Sequence, residues 1–131
     1  GFDLKKNLSI LNKAYNDSNG LTKKFNLNLL TRINKSLKSD FNLKNFIHFG
    51  TYNPVLGAME SYLISLVKQN IHIKELNKNF KFEVFEAIHL EYSFKYSKDN
   101  IADLSASSGF TIVKNYTDSK KYFIDSVWRK I

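Results

Sequence analysis

The chain has 131 residues, 43% hydrophobic and 15% aromatic, with no Cys, one Pro and a formal net charge of +8. That length suits one domain able to bury roughly two thirds of its unfolded surface, and eleven Phe, seven Tyr and one Trp are too many for a disordered tail. Without Cys there is no disulfide framework, thiolate zinc site or thiol nucleophile; no apolar run approaches the roughly 20 residues of a membrane helix, and no signal-peptide core is expected at the start.

The apolar spacing in the first part of the chain is helical. Leu8 to Tyr15 carries apolar residues at 8, 10, 11, 14 and 15, and the cluster Asn16-Asp17-Ser18-Asn19-Gly20 then breaks the pattern. A second helix is expected from about Leu21 to Leu37, with Leu21, Phe25, Leu29, Leu30, Ile33 and Leu37 along one face. Lys35 and Lys38 suit the negative pole at its end, and Asp40 is read as the cap of a short turn through Phe46.

From there the period changes from 3.6 to 2. Phe46 to Tyr52 is β-prone and Asn53-Pro54 marks a turn; Ala58 to Val67 and Asn70 to Leu76 read as strands joined tightly at Lys68-Gln69. Phe80, Phe82 and Phe85 suggest a short strand, and Ile88 to Tyr96 shows the cleanest alternation. Ser97 is expected to cap a helix from about Lys98 to Ser107 that Ser108-Gly109 ends. Phe110 to Tyr116 and Tyr122 to Trp128 close the chain as an antiparallel pair. No linker or repeat divides the sequence, so residues 1–131 read as a single α+β unit: N-terminal helices, then a mainly antiparallel sheet with one further helix.

Charge and chemistry-bearing residues give less. Only Arg32 and Arg129 among the 20 basic residues are Arg, and no lysine run reaches five. A solvated basic surface is therefore expected, with a nucleic-acid-binding module as the alternative. His48, His72 and His89 lack metal-ligand spacing, and His72 and His89 read as surface or cross-strand residues. The five Gly stand singly, so no Gly-rich loop brings backbone amides to a phosphate or an adenosyl cofactor. Glu91 and Ser93 share one face of the best-defined strand. A carboxylate beside a hydroxyl suits a neutral heterocycle such as imidazole; the same spacing also fits a solvent face, with Glu91 and Lys95 as weakly coupled exposed charges.

A longer pattern points further. Ala14-Tyr15-Asn16-Asp17, Gly20, Thr22, Phe25-Asn26, Asn28, Leu30 and Ile33-Asn34 follow one another in the order and spacing of a known signature. Gly1, Asp3-Leu4 and Lys6 precede it; Phe46, Tyr52-Asn53-Pro54, Glu60, Leu63, Ser65, Glu91, Ser93, Lys95-Tyr96, Gly109-Phe110 and Thr117-Asp118 come after. Over essentially its whole length the chain resembles the histidine-specific, SAM-dependent N-alpha-methyltransferases, which make trimethylhistidine on the way to ergothioneine.

The resemblance implies a cytoplasmic enzyme that takes S-adenosyl-L-methionine and histidine as small-molecule partners, with no metal, no membrane and no nucleic acid. It further implies that this chain is the C-terminal portion: most of the amino-acid substrate domain plus the last elements of a Rossmann-like sheet. The SAM-binding segment then lies upstream, and the portion is expected to be inactive alone, with no catalytic residue of its own. Glu91 and Ser93 match the imidazole-recognising pair, Tyr15 a tyrosine at the amino-acid end, and Phe25 an aromatic wall. Where the family has methionine in this pocket the chain has Ser61, a smaller and more polar wall that opens the way to another amino acid or amine.

Overall fold

The computed structural model describes residues 1–131. After a two-residue strand, β1 (Phe2–Asp3), come α1 (Leu8–Tyr15) and α2 (Leu21–Leu37), where the apolar spacing predicts them. Asp17 separates the two helices. Its carboxylate accepts from the backbone N–H groups of Leu21 and Thr22 at 2.7 and 2.8 Å, meeting two of the free donors that open α2. The hydrogen bonds from Thr22 and Leu21 hold the Asp17 carboxyl below the usual carboxylate value. Because the folded value is the lower one, the stability this cap contributes is complete above the ordinary value of 3.8 and is lost as pH falls through the lowered one. Asp17→Ala is expected to lower Tm at neutral pH and to differ less from the parent in acid; thermal unfolding at about pH 7 and about pH 3 checks this.

The apolar face of α2 does not bury as one stripe. Leu30 is fully buried, with Leu27, Ile33 and Leu37 packed into the same core. Leu21 and Phe25, expected on that face, are 64% and 74% exposed. Buried Asn26 takes the inward place one turn before Leu30, because its amide has a partner there: His48 Nδ1 at 3.1 Å. Asp40 caps no turn; its carboxylate accepts from the His72 N–H at 2.8 Å. The cap of the 3-10 turn Leu43–Asn45 is Asn42, which accepts from the Lys44 N–H at 3.1 Å.

Five strands follow: β2 (Phe46–Asn53), β3 (Ala58–Ser65), β4 (Gln69–Ile73), β5 (Lys78–Phe82) and β6 (Ala87–Phe94). The first expected strand of this region, Ala58 to Val67, stops at Ser65, whose hydroxyl donates to the Val67 carbonyl and folds the chain over. The next stops at Ile73, where Lys74–Leu76 form a 3-10 turn closed by Asn77 at φ 47°. Phe85 lies outside β5, exposed, with φ 66°. β4 and β5 pair antiparallel with His72 opposite Asn79, and the two side chains are hydrogen-bonded at 3.0 Å, the cross-strand role expected of this histidine. β2, β3 and β6 form a three-stranded sheet in the order β2-β3-β6.

The end of the chain follows the spacing closely. α3 (Lys98–Ser107) opens on a capping box, in which the Ser97 hydroxyl accepts from the Asn100 N–H and the Asn100 side chain accepts from the Ser97 N–H. Gly109, at φ 76°, ends it. β7 (Phe110–Thr117) and β8 (Phe123–Lys130) pair antiparallel, and the short β1 adds to β8. Asp118 closes the hairpin, accepting from the N–H groups of Tyr122 and Phe123 at 2.7 and 2.9 Å. The class is thus α+β, with three helices and mainly antiparallel sheets.

No linker breaks the sequence, yet the contacts gather into two compact units. One comprises Gly1–Leu11, Tyr52–Met59 and Ser93–Ile131; the other comprises Asn12–Thr51 and Glu60–Tyr92. α1, β2, β3 and β6 carry the chain from one set of residues to the other inside regular elements, which is why composition marks no boundary. The first unit is built on Leu4, Ile101 and Ile124, with Phe2 against Tyr96 and Trp128 at ring distances of 5.1 and 5.7 Å. The second is built on Leu30, Phe41, Phe46, Leu63, Ile71, Ile73 and Phe82.

Candidate functional site

Glu91 lies on β6 at a recess of about 190 Å³ in the second unit, which Phe25, Asn26, Leu29, Arg32 and Leu90 also line. Its carboxylate makes no hydrogen bond or ion pair in the protein, so both oxygens are open to a donor. Phe25 presents an exposed ring from α2. Two of the residues singled out in the sequence thus come together, and Arg32 lines the recess with them. Tyr15 and Ser61 do not line this recess.

Tyr15 is half-buried at the end of α1, and the structure explains what fixes it there. The His48 ring on β2 meets the Tyr15 carbonyl through Nε2 at 2.8 Å and the Asn26 amide through Nδ1 at 3.1 Å. A carbonyl only accepts, so Nε2 carries the ring proton and Nδ1 accepts from Asn26. Next to Tyr15, the Asn16 side chain donates to the Gly50 carbonyl at 2.9 Å and accepts from the Gly50 N–H at 3.0 Å. A Cβ on Gly50 would fall 3.0 Å from the Tyr15 Cβ, so glycine permits the close approach. The stretch from Tyr15 to Asp17 therefore seats one side chain, clamps β2 and caps α2 in three successive residues.

Ser61 is fully buried in β3, and its hydroxyl is the one buried side-chain polar atom with no hydrogen-bond partner. A buried donor left unmade costs about 1–3 kcal/mol, an expense a structural serine avoids. Ser93 lies two residues beyond Glu91 in the sequence, in the residues of the first unit, where its Oγ accepts from the Lys95 ammonium at 2.7 Å. Lys95 is not the exposed charge that alternation allowed: it is buried and ion-paired to Asp3 at 2.8 Å.

A second polar group in this part of the chain escaped the sequence reading. The Tyr62 hydroxyl donates to the buried Glu60 carboxylate, and that hydrogen bond pushes the Tyr62 pKa up to about 12. The His89 ring stands edge-on to Tyr62 at 5.1 Å and lies 4.2 Å from Tyr92. Residues three apart in a regularly alternating strand face opposite ways, so the alternation of β6 slips between His89 and Tyr92. No three His, Cys, Asp or Glu side chains gather as a metal site, and no helix is long and apolar enough to cross a membrane.

The chain is 30% identical over 118 residues to proteins named histidine N-alpha-methyltransferase from Mycolicibacterium smegmatis and Mycobacterium tuberculosis, matching 90% of this chain and 37% of each relative. It is 29% identical over 109 residues to the N-methyltransferase imqF of Aspergillus flavus, covering 82% of this chain and 29% of that protein. The chain therefore spans little more than a third of the length of the bacterial relatives it matches. The model of the histidine-specific, SAM-dependent methyltransferases matches residues 1–130, and the chain belongs to that family.

Proposed function

We propose that the chain is the substrate-recognising C-terminal portion of a SAM-dependent methyltransferase that acts on the α-amino group of histidine. Glu91 supports this most directly: a carboxylate without a protein partner, in a recess with an exposed aromatic ring, is suited to take an N–H from an imidazole stacked on Phe25. Ser93, Tyr15 and Ser61 are the further substrate residues that the resemblance to the family assigns, beyond the recess at Glu91. In this reading the second unit carries most of the amino-acid-binding part, and β1, β7, β8 and α3 of the first are the last elements of a Rossmann-like methyltransferase layer.

The residues of this chain do not fit a SAM site by themselves. None of its five glycines forms the Gly-rich strand–loop–helix that brings amides to such a cofactor, and no transfer step is assigned to them. Their work is positional. Fixing the ring at Glu91 fixes the amine at the other end of the substrate, and catalysis of such a transfer rests largely on that alignment. An amino acid without a ring N–H would forgo the hydrogen bond to Glu91, at a cost of about 1–3 kcal/mol.

A neighbouring reading keeps the chemistry and changes the amino acid or amine. Ser61 favours it: where the family has methionine this chain has a small, buried hydroxyl without a protein partner, a change of size and polarity. The nucleic-acid alternative has no counterpart among the three relatives above, all of which are named methyltransferases. Calorimetric titration of histidine, and of other amino acids in parallel, into the full-length protein with the demethylated cofactor present separates these readings. Saturable histidine binding that exceeds the rest by about tenfold or more is expected; preference for another amino acid would move the assignment to the neighbouring reading, and no amino-acid binding would end both.

A further inference from the structure

The recess beside Glu91 lies wholly within the second unit, between one face of α2 and β6. Phe25, Asn28, Leu29 and Arg32 are spaced three or four residues apart along the helix and so share that face. Two charged residues line the recess, Arg32 and Glu91. Both are exposed, no ion pair or hydrogen bond joins them, and neither has another partner in the protein. The histidine reading gives Glu91 its task and Arg32 none.

Without Arg32 the recess would suit cations. A free carboxylate draws an ammonium or a guanidinium into a charge-assisted hydrogen bond, and the exposed Phe25 ring offers such a group a π face. Lysine and arginine side chains answer both features better than a neutral imidazole does. Arg32 changes that balance by its charge. Its guanidinium stays protonated, and a side chain lining a recess of about 190 Å³ keeps its charge within about one Debye length, roughly 8–10 Å, of a ligand held there. The two charges of the recess then sum to zero. A neutral ring N–H still gains its hydrogen bond to Glu91, which is a short-range contact, whereas a cationic side chain drawn by Glu91 is repelled by Arg32. We infer that Arg32 is a specificity-determining residue of this site: its unpaired charge turns away amino acids with cationic side chains and leaves the recess to a neutral ring that donates an N–H. This rests on the histidine reading above. Selectivity of this kind needs a repulsive element beside the attractive one, and it depends on charge and salt rather than on the shape of the side chain.

The test uses the full-length protein at saturating SAM and about pH 8, where imidazole is neutral and the side chains of lysine and arginine are charged. The readout is a ratio: the inhibition constant of lysine, and separately of arginine, divided by the KM of histidine. Arg32→Met is expected to lower this ratio about threefold to tenfold, the effect of one exposed charge at such a separation. Arg32→Lys keeps the charge and should hold the ratio within about twofold of the parent. At about 1 M salt, where the Debye length falls to about 3 Å, the methionine variant and the parent should agree within about twofold. A ratio unmoved in Arg32→Met (no inhibition of either protein included), an equal fall in Arg32→Lys, or a difference that persists at high salt would each overturn the inference. Arg32 holds no other group of the protein, and Arg32→Gln, with the same expected fall, carries the test if the methionine variant does not fold. Glu91→Ala marks which idea fails: unchanged histidine kinetics there removes the histidine reading itself, whereas a raised KM beside a ratio unmoved in Arg32→Met removes only this inference.

Discussion

Glu91→Ala in the full-length protein is expected to raise the KM for histidine by about 10- to 100-fold, with kcat changed far less and SAM affinity unchanged. The size follows from one charge-assisted hydrogen bond, about 1.5–3 kcal/mol, at about 1.4 kcal/mol for each factor of ten. The specificity of the effect follows from the structure. The Glu91 carboxylate holds no other part of the protein, so its removal leaves no donor unmet and no cavity behind. Tm should therefore stay close to that of the parent, which separates a lost ligand contact from a damaged fold. Glu91→Gln keeps an acceptor oxygen without the charge and should fall between the two. Steady-state kinetics with each substrate varied in turn is the measurement; histidine kinetics identical to the parent would remove Glu91 from the site.

Local rules carried most of the secondary structure. Both N-terminal helices, the Ser97 cap and the closing hairpin depend on residues within a few positions of one another, and their boundaries were legible to within a residue or two. The misses share a physical cause. Asp40 resembles a cap in sequence, but its partner is the backbone of His72, 32 residues away. β1 is two residues long, too short for any period, and exists because β8 offers it a ladder. The division into two units was invisible because it falls inside a helix and three strands.

The candidate site divides in the same way. Glu91 and Phe25 could be named from the sequence pattern, and they do line one recess. What fixes their neighbours could not. His48 joins Tyr15 to Asn26 across 33 and 22 residues, and Gly50 is a glycine because Tyr15 approaches it. Lys95 reads as surface by alternation, yet it is buried because Asp3 supplies a countercharge from the far end of the chain. Many pattern residues are therefore caps, clamps and ion-pair partners. Asn53 accepts from Val55 and Leu56 at the turn after β2, and Asn34 holds the Phe41 backbone through both its oxygen and its nitrogen. A shared pattern of this kind reports the frame that holds a site as much as the site.

The two sides of α2 turn that distinction into a paired expectation. Leu30→Ala removes a fully buried side chain from among Phe41, Phe46, Leu63 and Phe82, and should cost about 2–5 kcal/mol through lost transfer energy and the cavity left behind. Against a typical total of about 5–15 kcal/mol that is a large fraction, and Tm should fall on the order of 10 °C or more. Phe25→Ala, five residues earlier on the same helix, removes a ring that is 74% exposed. Its loss opens no cavity, so Tm should move by no more than about a degree or two, while the KM for histidine rises through the lost stacking surface, on the order of threefold to tenfold. Thermal unfolding and histidine kinetics on the same two variants check both halves. A Phe25 variant that loses stability and leaves KM unchanged would mean that this ring packs against protein in the full-length molecule, and that the recess beside Glu91 is closed to substrate.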